Sequence, residues 1–176
     1  MEKEAQSQVH EYLFFYGHSK KDKYGFLSNF ALFSFTDKEG TTYHSVEQYM
    51  HYKKAVLFED TEIAEQIMSA NTPYKTKMLG RKVKNFNYEI WSSYKIKIVK
   101  KGIQLKFNQN TDINKKLLET FPKIMVEAAP KDSIWGIGMS VEVANDNVDK
   151  WGKNLLGKIL THVRNKLVKE AAEVST

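Results

Sequence analysis

Hydrophobic and polar positions repeat along this chain with two different periods, which predict strands and helices in separate segments. Short aromatic or alternating runs predict strands at 12–16, at 31–36 with a return arm at 41–43, and at 123–129. The intervening segment 37–40 has the composition of a turn, with a glycine where a positive φ is useful. We therefore expect the two middle runs to form a hairpin.

Apolar residues three and four positions apart predict the helices. Ser45, followed three residues later by Gln48, is a helix-start signature, because the side chains of these two residues satisfy unpaired N–H groups of the first turn. Further helices are expected from Asp60 or Thr61, over 73–79, 89–107 and 112–120, and from about residue 155 to about residue 167. This order predicts an α+β fold with roughly five to seven helices around a small, mostly antiparallel sheet.

Length and composition limit the class of protein. A chain of 176 residues suits one domain, which we place at 12–169, between an N-terminal arm (1–11) and a C-terminal tail (170–176) that are both expected to be flexible. The absence of a signal peptide and of a bilayer-length apolar run predicts a cytoplasmic protein without membrane contact. The absence of cysteine excludes disulfides, zinc–thiolate sites and a cysteine nucleophile.

Charge and motif content narrow the chemistry further. The formal net charge of +6 favours anionic ligands such as phosphates or nucleic acid. The five histidines form no metal-ligand pattern, and the chain contains neither a Gly-x-Ser-x-Gly elbow nor a phosphate-binding glycine loop. We therefore expect neither a metal nor a cofactor. A general nucleic-acid-binding protein would bind unmodified DNA in a steeply salt-dependent way, but no motif supports that function.

The helix after Ser45 carries the first candidate site residues. Glu47 and Lys54 are seven positions apart and fall on one helix face, so a carboxylate and an amine project from the same rod. If the pair is buried, it can perform acid, base or Schiff-base chemistry. If it is exposed, it is a surface ion pair.

Several other residues have both a structural and a functional interpretation. Asn29 lies in an aromatic loop that either caps the sheet or faces a ligand. Arg81 follows a helix end, where a guanidinium binds either phosphate or the last-turn carbonyls. Glu127 is a carboxylate inside an apolar strand, so it is either paired with a cation such as Arg81 or directed into a cleft.

The later loops also remain open to both interpretations. Asp132 is either a turn cap or a functional acid, and Trp135 with Gly136 offers either a lid over the core or a stacking face with close backbone approach. Asn154 either caps the closing helix or helps its N–H groups to bind phosphate.

Seven segments in register resemble the NADAR family, also called the YbiA-like family, from about Phe14 to Leu167. They are 15–17 with 24–30, the helix after Ser45, Leu79-Gly80-Arg81, Lys106 to Asn110, Val126-Glu127-Ala128, Asp132-x-x-Trp-Gly-x-Gly, and Gly152 to Lys158 leading to Arg164.

The resemblance implies an enzyme that cleaves the N-glycosidic bond of a phosphorylated ribose. The implied substrates are ribosylaminopyrimidine phosphates of riboflavin synthesis, or ADP-ribose attached to guanine in nucleic acid. It implies catalytic roles for Glu47, Lys54 and Asp132, in a cleft between the Ser45 helix and the Asp132 loop. It implies substrate binding by the following residues: Asn29, Arg81, Trp135, Gly136 and Asn154, with Lys158 or Arg164 as further phosphate ligands. The alternative is a module that binds ADP-ribose or a nucleotide without turnover.

Overall fold

The computed structural model describes residues 11–174, so most of the expected arm (1–10) and the last two residues of the expected tail lie outside the described part. The described residues contain four strands and seven α-helices. The strands are β1 (Tyr12–Phe15), β2 (Phe35–Thr36), β3 (Thr42–Tyr43) and β4 (Ile124–Glu127). The helices are α1 (Val46–Leu57), α2 (Thr61–Ser69), α3 (Pro73–Gly80), α4 (Tyr88–Gln109), α5 (Thr111–Glu119), α6 (Val141–Ala144) and α7 (Leu155–Val174).

The strands form two separate pairs. β1 and β4 are parallel, with Phe15 opposite Glu127, whereas β2 and β3 form the expected antiparallel hairpin. The α+β class is confirmed, but the single, mostly antiparallel sheet is replaced by one pair of each type. Alternation along a strand reports which side is buried. It does not report the partner or its direction, which for β1 and β4 are decided by the long helical connection between them.

Side-chain caps start four of the helices where the sequence places polar residues. Ser45 Oγ accepts from Gln48 N at 3.2 Å, Asp60 caps α2, Thr72 caps α3 and Asn87 caps α4. Gln48 departs from the expected reciprocal bond: its Oε1 accepts from His44 N at 2.8 Å. The start of α1 is therefore fixed by local hydrogen bonds.

Helix α1 lies at the centre and packs against α2, α3 and α4. Gly102 of α4 allows the close approach to α1, because a Cβ there would lie 2.9 Å from the Tyr49 ring. On the other side, α7 packs on β4, and a Cβ on Gly157 would overlap the Met125 carbonyl oxygen. These contacts enclose one main core, whose fully buried members include Tyr43, Ile67, Ile103, Phe107, Leu117 and Met125.

Two segments differ from expectation. The polar stretch 140–149 contains α6 and a 3-10 turn. Helix α7 continues to Val174, through most of the segment expected to be a flexible tail. Lys166–Glu170 and Lys169–Glu173 ion pairs at i,i+4 spacing support this exposed last part of α7.

Within residues 11–174, no helix combines the length and apolar character needed to cross a bilayer.

Candidate active site

A small cleft of about 130 Å³ lies between α1, α3, the end of β4 and the Asp132 loop, and we call it the inner cleft. Most of its lining side chains are charged, polar or aromatic, and two are aliphatic: Ser28, Asn29, Phe30, Glu47, Met50, His51, Lys77, Arg81, Glu127, Asp132, Trp135 and Leu156.

Unpartnered polar atoms distinguish the inner cleft from larger cavities. Residues 11–174 contain five buried side-chain polar atoms without a hydrogen-bond partner, and three of them belong to residues that line this cleft. They are Asn29 Oδ1, His51 Nδ1 and Glu127 Oε2. Unpaired buried polar atoms are costly, so their concentration around one cleft indicates a site that is completed by a ligand.

Glu47 and His51 form a buried pair on α1. Glu47 Oε1 and His51 Nε2 are 2.9 Å apart, and both residues are less than a tenth exposed. The other imidazole nitrogen faces Gly80, where an added Cβ would lie 1.9 Å from His51 Nδ1. Glu47 N also donates to Asn29 O at 3.0 Å, which ties the aromatic loop to α1. The carboxylate is thus held in one orientation by its neighbours.

Glu127 is the most perturbed acid of the cleft. Burial is the main reason that its pKa is raised to about 8; the negative charges of Asp132 and Glu47 add to this shift, and the positive charge of Lys77 opposes it. Its backbone is fixed because Glu127 N donates to Asn154 Oδ1 at 3.0 Å. At neutral pH its carboxyl group is therefore mostly protonated and able to donate a proton.

The Asp132 loop is packed onto the end of β4. Asp132 Oδ1 accepts from Ile134 N and Trp135 N, both at 2.9 Å, so one carboxylate oxygen builds the turn. A Cβ on Gly136 would lie 2.7 Å from Glu127 O, and this close approach requires glycine. Asp132 and Trp135 line the cleft, whereas buried Gly136 shapes the loop behind it.

The cationic side of the cleft comes from α3, through Lys77 and the exposed Arg81. Lys54 does not line the cleft. Its Nζ donates to Gly80 O at 2.8 Å and lies 4.5 Å from the centre of the Phe86 ring. Burial and the charge of Arg81 lower the pKa of Lys54. Lys54 therefore ties the end of α3 to α1, and Lys77 is the amine that faces Glu127.

Lys106 supports the aromatic loop from inside the core. It is fully buried, and its Nζ donates to Phe26 O at 2.6 Å and to Ser28 O at 3.0 Å. Burial lowers the pKa of Lys106 to about 7. These bonds fix the backbone that carries Ser28 and Asn29 into the cleft.

The structure brings together five of the predicted site residues, namely Asn29, Glu47, Arg81, Asp132 and Trp135. Asn154 is placed elsewhere: it has a left-handed φ of 48°, and its side chain bonds Glu127 N and Met125 O. It joins β4 to the start of α7 and does not line the cleft. The catalytic and binding roles assigned to these residues stay predictions.

Arg164 and Lys158 also lie outside the cleft lining. Seven lining residues are outside the predicted set, and three of them are ionisable: His51, Lys77 and Glu127, the last of which the sequence left open between an ion pair and a cleft. His51 lies one turn after Glu47, Lys77 one turn before Arg81, and Glu127 is the only charged residue in an apolar strand. Spacing from a predicted site residue is the signal that finds His51 and Lys77.

Within residues 11–174, no three acidic or histidine side chains are grouped so as to hold a metal ion.

The α+β fold agrees with the comparisons with known proteins. The NADAR domain model matches residues 14–168, and the chain belongs to this family.

N-glycosidase R617 of Acanthamoeba polyphaga mimivirus is 44% identical over 89% of this chain and 96% of its own length. N-glycosidase YbiA of Escherichia coli K12 is 31% identical over 87% of this chain and 88% of its own. The NMR structure of the E. coli protein YbiA is similar with a TM-score of 0.75 and 29% identity, covering 93% of this chain and 89% of that one. The riboflavin biosynthesis protein VVA0006 of Vibrio vulnificus is 30% identical over 89% of this chain, which spans only 39% of that longer protein.

Proposed function

We propose that this chain is an N-glycosidase that hydrolyses the bond between a ribose carrying phosphate and an aromatic base. The names of the mimivirus and E. coli relatives support this reaction class. The name of the Vibrio relative supports a riboflavin-pathway ribosylaminopyrimidine phosphate as one substrate. ADP-ribose attached to guanine in nucleic acid is the second substrate class that we propose to test.

The observation that carries the proposal is the contrast among the carboxyl groups of one cleft. The pKa of Glu127 is raised to about 8 by burial, so this group supplies a proton at neutral pH. Glu47 is held against His51, and Asp132 has one oxygen committed to its own turn. Glycosidases need both a protonated and an ionised carboxyl group beside the bond that breaks.

In the proposed reaction, the bond between the anomeric carbon and the base nitrogen breaks, and its electron pair stays on the nitrogen. Glu127 donates a proton to that nitrogen. Positive charge develops on the anomeric carbon, where the Glu47 carboxylate stabilises it. Asp132 accepts a proton from water as the water oxygen bonds to the anomeric carbon. Asp132 then releases its proton to solvent and Glu127 takes one up, so both groups return to their starting state and the products are the free base and the ribose phosphate.

Arg81 and Lys77 supply the positive charge that a phosphate requires at the cleft edge. Lys77 also offers a second route in place of Lys54, because it is the lysine that lines the cleft. As a neutral amine it would attack the anomeric carbon and displace the base, whose nitrogen keeps the electron pair and takes a proton. Ring opening would then give a Schiff base on Lys77, and water would hydrolyse it to release the ribose phosphate and the free amine. Borohydride treatment during turnover traps such an adduct on Lys77, and an untrapped protein with normal turnover supports the activated-water route.

The test is incubation of the wild-type protein and Glu47→Gln with a panel of ribosylated substrates, followed by mass spectrometry. We expect release of free base and ribose phosphate by the wild type. For Glu47→Gln we expect a loss of about 10²-fold or more, because an amide carries no charge to stabilise the anomeric carbon.

The thermal unfolding curve of Glu47→Gln should overlay that of the wild type, since the amide can still hydrogen bond to His51. Retained turnover by a folded Glu47→Gln would refute the role of Glu47. Tight binding of a panel member without product would instead identify a non-catalytic binding module.

A further inference from the structure

A second cavity of about 370 Å³ adjoins the inner cleft, and we call it the outer chamber. The two cavities share five lining residues, Ser28, Phe30, Lys77, Glu127 and Asp132. The outer chamber adds Tyr16, Gly17, His18, Ala129 and Lys131, and it lacks Glu47, Arg81 and Trp135. The two cavities therefore differ in chemistry: the inner cleft holds the Glu47–His51 pair and Arg81, and the outer chamber adds aromatic rings.

The aromatic rings of the outer chamber are unusually accessible. Tyr16 is 63% exposed, although it directly follows buried Phe15 at the end of β1. The rings of His18 and Phe30 lie 5.5 Å apart with a tilt of 43°. Exposed rings at the carboxyl end of a parallel strand pair offer flat faces to a ligand at the edge where such sheets commonly bind ligands.

The backbone that presents these rings is well defined. Gly17 has a φ of 88°, and an added Cβ would lie 2.7 Å from Asp22 Oδ2. The same carboxylate oxygen accepts from Ser19 N at 2.9 Å, and Gly25 N donates to Asp22 O at 2.9 Å. Tyr16 and His18 therefore flank a turn that is closed by its own hydrogen bonds.

The acids that line both cavities indicate the direction in which a substrate would lie. Glu127 and Asp132 line both cavities, whereas the Glu47–His51 pair and Arg81 line only the inner one. A ribose phosphate bound by Arg81 and Glu47 in the inner cleft would place its anomeric bond toward Glu127, an acid that lines both cavities. The leaving base, which receives the proton from Glu127, would then lie in the outer chamber.

We propose that the outer chamber is the subsite for the leaving base, an amino-substituted aromatic ring that stacks on Tyr16 with His18 and Phe30 at its edge. This inference rests on the proposed function and assigns the base to Tyr16, whereas the family resemblance associates Trp135 with the active centre. Trp135 remains a wall of the inner cleft beside the sugar. Lys131 at the chamber offers a donor to the carbonyl oxygens that such bases carry.

The test compares Tyr16→Ala, Tyr16→Phe and a matched control, Tyr94→Ala, an exposed tyrosine of α4 that lines neither cavity. Guanine and 5-aminouracil serve as base probes, and ribose 5-phosphate serves as the inner-cleft probe. Dissociation constants are measured for each probe in the Glu47→Gln background, in which turnover is expected to be lost. The KM for any substrate turned over is measured with Glu47 intact.

We expect Tyr16→Ala to weaken binding of at least one base probe by about 5- to 100-fold, the range of a lost stacking contact. The affinity for ribose 5-phosphate should stay unchanged, Tyr16→Phe should restore base binding, and Tyr94→Ala should match its parent. The KM of Tyr16→Ala should rise with the loss of base affinity.

Base binding that is unaffected by Tyr16→Ala, equal weakening of both probe types, or the absence of measurable base binding would overturn the assignment. Failure of the proposed reaction has a different signature. If the wild type releases no product while Tyr16 still controls base binding, the chamber assignment stands and the glycosidase proposal fails. If product forms but base affinity ignores Tyr16, the reaction stands and the chamber assignment fails.

Discussion

Glu127 is the last residue of strand β4, and Arg164 lies on helix α7, which packs against β4. Both are buried ionisable residues, but they differ in how completely their side chains are hydrogen bonded. Arg164 is 1% exposed, and its guanidinium donates to Thr120 O, Lys123 O and Asn165 Oδ1. Glu127 has a carboxyl oxygen with no hydrogen-bond partner in the described part of the chain. The backbone carbonyls around Arg164 satisfy its donors, whereas Glu127 faces a cleft that holds two further acids.

This contrast separates a structural charge from a functional one. A buried charge with complete hydrogen bonding joins chain segments, and its loss leaves acceptors unpaired. A buried acid that has a carboxyl oxygen without a hydrogen-bond partner and a raised pKa can bind a ligand or transfer a proton. Arg164 therefore ties α7 to the turn before β4, and the phosphate role that the family resemblance suggested for it does not match its position.

The largest expected effect is on turnover by Glu127→Gln. Removing a general acid should lower kcat by about 10²- to 10⁴-fold, because the amide cannot deliver a proton to the leaving base. The unfolding midpoint should stay the same or rise, since the neutral amide is not penalised by burial next to two acids. Steady-state kinetics and urea unfolding measure both quantities, with exposed Glu119→Gln as the control. Wild-type turnover by Glu127→Gln would remove Glu127 from the reaction.

A smaller effect, and one on stability, is expected for Arg164→Met. It should lower the free energy of unfolding by about 2–4 kcal/mol, because several buried acceptors lose their donor. The protein that remains folded should keep its KM within about twofold, as expected for a site distant from the mutation. Urea unfolding and kinetics at low temperature provide the measurements. A large increase in KM without loss of stability would show instead that Arg164 holds the phosphate.

The smallest expected effect, taken per pH unit, is the pH dependence of stability that Glu127 contributes. Its folded pKa of about 8 exceeds the ordinary glutamate pKa of 4.5, so between these pH values the native state binds a proton that the unfolded chain has released. This contribution is fully present below pH 4.5 and is lost as the pH rises through 8. The slope is at most about 1.4 kcal/mol per pH unit.

The measurement is urea unfolding at a series of pH values for the wild type and Glu127→Gln. The difference between the two free energies should change with pH in this window and be flat below it. A constant difference would show that the Glu127 carboxyl is not perturbed in the native state. Buried Lys106, whose pKa is lowered to about 7, titrates in both proteins and cancels in the difference.

Local sequence determined much of the fold. Ser45 and Asp60 cap helices at the expected positions, and α3 begins at Pro73 as expected, because a cap is a contact between residues three positions apart. The 37–40 turn and its hairpin follow for the same reason. The sequence also identified Glu47 and Asp132 as acids of a common cleft, through motifs that are in register with a known family.

Tertiary structure alone decided which side chains face that cleft. Glu47 and Lys54 share a helix face but lie about 10 Å apart along the helix axis, so the end of α3 can bind one of them and leave the other free. Likewise, the packing of β4 against the Asp132 loop leaves one carboxyl oxygen of Glu127 without a hydrogen-bond partner among the described residues. Periodicity specifies the side of an element that is buried, since it depends on neighbours in sequence. The groups that cover this side come from distant parts of the chain. They determine whether a buried charged side chain joins chain segments, as Arg164 does, or remains available for chemistry, as Glu127 does.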